Sequence, residues 1–137
     1  MAIKNAALTF LLTLAVFFAV DMVWLGLVAK GFYRRQLGDL LSPTVVWPAA
    51  ILFYLLFIAG LQFFVVAPAL RSGGAVQALW QGAFFGLIAY ATYDLTNLAT
   101  LKGWPLAVTL VDLAWGAALG GTVSFLATLI ARRLFRG

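Results

Sequence analysis

Three aspartates dominate the chemistry open to this chain. Of its four acidic residues, Asp21, Asp94 and Asp112 fall inside long apolar stretches. A charged carboxyl at the middle of a membrane helix costs about 2.5–3.5 kcal/mol on insertion scales. Neither Lys nor Arg stands inside those stretches to offset the cost, and His and Cys are absent from the chain altogether. Carboxyls so placed share a proton or hold a cation or cationic ligand. Oxygen donors without nitrogen or sulfur suit a proton, Mg²⁺, Ca²⁺ or Mn²⁺. No cofactor is identified by these residues; if a metal is held it is a divalent cation on Asp21, Asp94 and Asp112, and haem and zinc are not expected.

Spacing places the three acids together. Asp21 precedes Ala29 by eight residues, Asp94 precedes Lys102 by eight, and Asp112 follows Pro105 by seven. At about 1.5 Å of rise per residue, all three lie about 10–12 Å below one membrane surface, whichever way the chain is inserted. Their faces agree as well. Gly82, Gly86, Tyr90 and Asp94 recur every four residues, as do Asp112, Gly116, Gly120 and Ser124. Small residues let helix backbones approach in lipid, so these acids belong to packing faces. Tyr90 and Asn97 add a hydroxyl and an amide to the Asp94 stripe. Thr13, Phe17, Asp21 and Trp24 line the matching side of the first helix, and Tyr54 and Gln62 belong to the second.

The elements that position these residues follow from composition. With 65% hydrophobic and 9% charged residues and a mean hydropathy of +1.07, the 137-residue chain lies outside the range of soluble domains. Apolar windows run over 6–29, 45–70, 75–101 and 105–131, each long enough to cross a bilayer. Continuous runs rich in Leu, Ala and Phe argue against membrane strands. The expectation is an all-α fold, a single domain over 1–137 forming a four-transmembrane-helix antiparallel bundle, because short links force neighbouring helices to run antiparallel. The first stretch is too long for a signal peptide and no A-x-A site follows it, so it reads as a retained anchor.

In the longer link, Tyr33, Leu37, Leu40 and Leu41 fall on one side of a helical wheel, which suits either an interfacial helix over 31–41 or an irregular solvated loop. On the first reading Arg34 and Arg35 meet lipid headgroup phosphates. Lys4, Arg71, Arg132, Arg133 and Arg136 share one membrane face, against Lys30, Arg34, Arg35 and Lys102 on the other. The count of five against four barely decides, and the tight Arg132, Arg133 and Arg136 cluster with the amino terminus points to both termini in the cytoplasm. A faint repeat also runs through the chain: Asp21, Lys30-Gly31 and Trp47-Pro48 recur in order as Asp94, Lys102-Gly103 and Trp104-Pro105. Interface preferences of Trp, Lys and Pro could produce it by chance; a true repeat implies two parallel hairpins.

The acids could instead be adhesive. Asp21 with Trp24, and Asp112 with Trp115, each sit in a V-D-x-x-W or D-x-x-W segment that could pair an indole N–H with a carboxyl. Helix-to-helix hydrogen bonds in membranes average only about 0.6 kcal/mol, however, well below the insertion cost.

The segment Tyr90-Ala-Thr-Tyr-Asp94-Leu-Thr-Asn97-Leu-Ala-Thr-Leu-Lys102-Gly-Trp104-Pro105, with Val111-Asp112-Leu-Ala-Trp115-Gly116, resembles the bacterial domain-of-unknown-function family 2177. Asp21-Met-Val-Trp24-Leu-Gly26, with the later Lys30 and Phe32-Tyr33, carries the same resemblance, which covers nearly the whole chain. It implies a four-helix protein of the bacterial inner membrane, brings a weak association with fatty-acid modification and hence a lipid context, and supplies no biochemical activity.

Three functions compete. In the first, the Asp cluster with Tyr90, Asn97, Trp24 and Trp115 binds a proton or cation in a small transporter or binding module, which four helices could form only as a homodimer. In the second, the chain is a lipid-modifying membrane enzyme or its accessory subunit, with the acids as acid, base or metal ligands and Arg34 and Arg35 on a phosphate. Against it stands the lack of His, Cys and any nucleophile motif. In the third, the chain is a structural partner of another membrane protein. The net charge of +5 belongs to the membrane edges, so membrane lipid is the expected partner and nucleic acid is not.

Overall fold

The computed structural model describes residues 3–135, and the described residues are helical with short links. Arg136, counted above on the terminal face, lies outside them. Helix α1 spans Ile3–Trp24 and runs through a π turn, Leu25–Ala29, straight into α2, Lys30–Leu37. The link expected after Ala29 therefore begins as helix, followed by a 3₁₀ turn over Gly38–Leu40. Gly38 ends α2 with φ of +52°, a conformation that Gly adopts without penalty. Helix α3 covers Trp47–Leu61, with Pro48 in its first turn, where the missing N–H costs nothing. It continues through a π turn, Gln62–Val66, whose closing Ala67 N–H donates to the Gln62 carbonyl. Pro68 accounts for this. Its ring removes the N–H that would bond to Phe64 and crowds that carbonyl, so the preceding turn widens. A second π turn, Ala69–Gly73, leads to Gly74, at φ of +87°, and into α4, Ala75–Thr100; α5 is Leu106–Leu134.

Three stretches are long and apolar enough to cross a membrane: Asn5–Leu27, Trp47–Gly73 and Leu106–Leu134. The stretch expected over 75–101 forms the 26-residue α4, but its Gln, Thr, Asp and Asn residues lower its hydropathy, and it is not among the three. Large apolar side chains such as Leu27, Phe63, Phe64, Val76 and Phe84 point outward and exposed. A surface of that kind suits lipid and not water.

Neighbouring helices run antiparallel. Gly82 meets Gly120, and Gly86 meets Gly116, along a seam where α4 and α5 touch backbone to backbone. A side chain on Gly116 would lie 2.7 Å from the Gly86 carbonyl oxygen and 2.6 Å from Tyr90 Cγ, so only glycine permits the approach. Between α1 and α3, Phe17 packs on Tyr54 and Phe57, while Gln62 Nε2 donates to the Ala6 carbonyl at 2.9 Å. Phe17, Phe57, Ile58, Leu61, Leu119 and Val123 form the buried core. Helix α3 draws close to α4 chiefly through its C-terminal π turn. Near the other end of α3, Phe53 and Phe57 meet Tyr90 edge-on at centroid distances of 6.4 and 6.3 Å.

Candidate functional site

The two D-x-x-W segments come together across helices α1 and α5. Trp24 and Trp115 stack with ring centroids 4.4 Å apart and an interplanar angle of 8°. The indole N–H of Trp115 comes within reach of the Asp21 carboxyl on the other helix. Trp24 reaches the Tyr33 hydroxyl, which in turn donates to Asp112 Oδ1. Each acid is therefore served by groups from another helix, and not by the Trp three residues along its own. An i, i+3 pair shares a face, but stacking turns these indoles toward each other's helices.

Tyr33 shows what α2 does. On the helical wheel Tyr33, Leu37, Leu40 and Leu41 read as one apolar face. In the fold Tyr33 and Leu37 turn into the protein, while Leu40 and Leu41 remain exposed. The 3₁₀ turn breaks the helical period between the two pairs. Burial, reinforced by the Asp112 carboxylate it bonds to, pushes the Tyr33 phenol well above its ordinary range. Arg34 and Arg35 are exposed on the outer side of α2 and take no part in this arrangement.

These residues line an open-sided cavity of about 310 Å³, at the lower end of small-ligand sites, which run from about 300 to 1,000 Å³. Asp21 and Asp112, 6% and 7% exposed, supply its carboxyls. All four tyrosines of the chain, and three of its five tryptophans, line it: Tyr33, Tyr54, Tyr90, Tyr93, Trp24, Trp104 and Trp115. A second cavity of about 340 Å³ shares Phe53, Tyr90, Tyr93 and Asp112 with the first. Phe53 and Tyr93 are 42% and 57% exposed, so the pair of cavities reaches the flank of the molecule between α3 and α4.

Asp94 is fully buried and lies against the Asp112 carboxyl and the Trp104 indole. Neither of its carboxyl oxygens has a hydrogen-bond partner. The Trp104 N–H goes instead to Thr109 Oγ1 at 3.1 Å, and Thr109 Oγ1 lies 3.4 Å from the Asp94 carbonyl oxygen. Asp94 thus backs the cavity without lining it. Asn97 is half-buried, beside Tyr93, and outside the lining. Among the described residues no three acids come close enough to share a metal ion. The expected trio is therefore a pair, Asp21 and Asp112, on the cavity, with Asp94 behind it against Asp112.

The faint repeat does not organise the site. Trp47 is exposed at the end of α3, whereas its counterpart Trp104 lines the cavity beside Tyr93, with centroids 5.6 Å apart. Sequence reasoning overlooked Trp104, Tyr93 and Phe53 as site residues and placed Tyr33 on an interfacial helix or a solvated loop, outside the site. A signal for Trp104 does exist in its position. It stands directly before Pro105 in the short link between α4 and α5, at the end of the hairpin nearer to Asp94 and Asp112.

An all-helical chain with apolar outer surfaces and three stretches able to cross a bilayer is a membrane protein. Its residues 6–129 match the family model described as "Predicted membrane protein (DUF2177)", and the chain belongs to that family. No curated protein and no solved structure matches it.

Proposed function

We propose that the cavity is a proton- or cation-binding site within the membrane and that the protein is a small transporter or binding module. One observation carries the reading: Asp21 and Asp112, each more than nine-tenths buried, face one cavity whose described lining contains no Lys or Arg. Carboxyls withdrawn from water without a counter-charge favour the uptake of positive charge. In this reading α4 is the fourth membrane span. Its antiparallel glycine seam with α5 supports that, since a 26-residue helix so tightly bound to a spanning helix shares its depth. The chain then crosses a bacterial inner membrane four times with both termini in the cytoplasm. Arg34 and Arg35, exposed beside the site, meet lipid headgroups, and a second copy of the chain completes any path across the bilayer.

The test is a carboxyl-region infrared pH series on the purified protein, with and without added cations. The bands of the wild type respond to pH or cation, and the response shrinks in Asp21→Asn and Asp112→Asn. Asn keeps the shape and hydrogen-bonding capacity of a neutral Asp, so these variants remain folded. An identical response in the wild type and in a variant with all three aspartates changed to Asn overturns the reading.

A further inference from the structure

We propose that the cavity takes an organic ammonium group, held between the carboxyls of Asp21 and Asp112 and the faces of its aromatic side chains. The inference rests on the cation-site reading and names the class of cation. An aromatic lining suits neither a proton, which needs only an oxygen, nor a divalent metal ion, which needs about six oxygen ligands or more. An alkylated ammonium gains from both components. Its diffuse charge is attracted to ring faces by about 2 kcal/mol or more where water is excluded, and its methyl groups bury against the same rings. The lining fits that division of labour. Trp24 and Trp115 are stacked on one another, which leaves each an outer face, and Tyr33 is fixed by its bond to Asp112. Tyr54 and Tyr90 close the side toward α3 and α4.

Every tyrosine and three of the five tryptophans of a 137-residue chain gather around two buried acids. Tyr54, Tyr90 and Trp115 also back onto the Phe, Leu, Ile and Val core, whereas Tyr33, Tyr93, Trp24 and Trp104 stand outside that cluster. These rings are not at a single surface belt, where membrane proteins collect Trp and Tyr for contact with headgroups. Tyr54 and Tyr90 belong to the interiors of α3 and α4. The flank opening beside Phe53 and Tyr93 gives entry from the lipid side. An ammonium could come as a free amine or as the headgroup of a lipid, and the chemistry of the site is the same for both.

Choline is the probe, and its uncharged carbon isostere 3,3-dimethyl-1-butanol is the control. The protein is held in maltoside micelles, and tryptophan fluorescence is the readout, because three of five tryptophans line the cavity. Choline gives a saturable change, and the isostere binds at least about tenfold more weakly, as expected for loss of a desolvated cation–π attraction. Asp112→Asn and Trp115→Leu each weaken choline by about tenfold or more, while Trp115→Phe, which keeps a ring, retains most of the affinity. Equal binding of choline and the isostere overturns the proposal, as does saturation by Mg²⁺ without any response to choline. If choline is silent while the carboxyl infrared response persists, the ammonium inference falls and the cation site stands; if both are silent, both fall. Discs of phosphatidylethanolamine and of an uncharged galactosyl diacylglycerol, which differ in the ammonium headgroup and not in surface charge, separate the sources. Weaker apparent choline binding in the former identifies the lipid headgroup as ligand, and equal binding identifies a free amine.

Discussion

Gly86→Ala tests whether the α4–α5 seam sets the geometry of the acid site. The added Cβ would run into the Gly116 carbonyl oxygen, 2.9 Å from that carbonyl's carbon and 3.2 Å from Gly120 Cα. All three atoms are backbone, so no rotamer change relieves the contact and the helices must part. Overpacking of a close interface costs about 1–3 kcal/mol, and a backbone clash belongs at the upper end. Ala gains about 0.5–1 kcal/mol over Gly in a helix, which leaves a net destabilisation of about 2 kcal/mol. At several degrees per kcal/mol for a chain of this size, Tm falls by about 5–10 °C. Thermal unfolding followed by circular dichroism in a fixed detergent measures it, with Gly26→Ala as the control. Nothing lies within 4 Å of a Cβ at Gly26, so that variant stays within about 1 kcal/mol of the parent. A Gly86→Ala protein as stable as the wild type would refute the claim that backbone contact holds α4 to α5.

Two further outcomes follow from single contacts. Because the Tyr33 phenol is raised above its ordinary value of 10.0, the unfolded chain gives up this proton at lower pH than the folded one. Its contribution to stability is complete below about pH 10 and declines as pH rises beyond it, so the alkaline decline in Tm should be shallower in Tyr33→Phe; an unchanged slope would show that Tyr33 is not buried against Asp112. Gln62→Leu removes a bond to the Ala6 carbonyl but also a buried, unpartnered Oε1. Since a membrane hydrogen bond is worth about 0.6 kcal/mol and an orphaned acceptor costs about 1–3 kcal/mol, Tm should hold or rise, and a fall of more than a few degrees would show that the bond outweighs the orphan.

Periodicity made the helices and the α4–α5 seam legible. Glycines spaced by four at 82 and 86, and at 116 and 120, announce a close approach, and that approach brings Asp94 against Asp112. What local spacing could not convey was partnership. Trp24 lies three residues from Asp21, and Trp115 three from Asp112, yet the stack exchanges them across helices. The π turn at Leu25–Ala29 was equally hidden, since no proline marks it, and it carries Tyr33 back over Asp112 where a terminated helix would have left it at the surface. Pro68, by contrast, announces the widened turn in α3 directly.

The contrast between Asp94 and the two cavity acids bears on why the chain keeps carboxyls here at all. If the acids served only to join helices, each should end at a donor. Tyr33 does this for Asp112, and Trp115 is within reach of Asp21; Asp94 is fully buried against the Asp112 carboxyl and the Trp104 indole, whose N–H goes to Thr109. A single helix-to-helix bond to Asp112, at about 0.6 kcal/mol, falls well short of the insertion cost of about 2.5–3.5 kcal/mol. In the proposed cation site Asp94 has a reason to be there: its carboxyl lies against that of Asp112, the cavity acid, so the two concentrate carboxyl oxygens beside the cavity. In that site Asp94 would act on a ligand only through Asp112, since it does not line the cavity. Helix α4 contributes this influence while α5 presents the contact, and the glycine seam between them is what makes the two acids one unit.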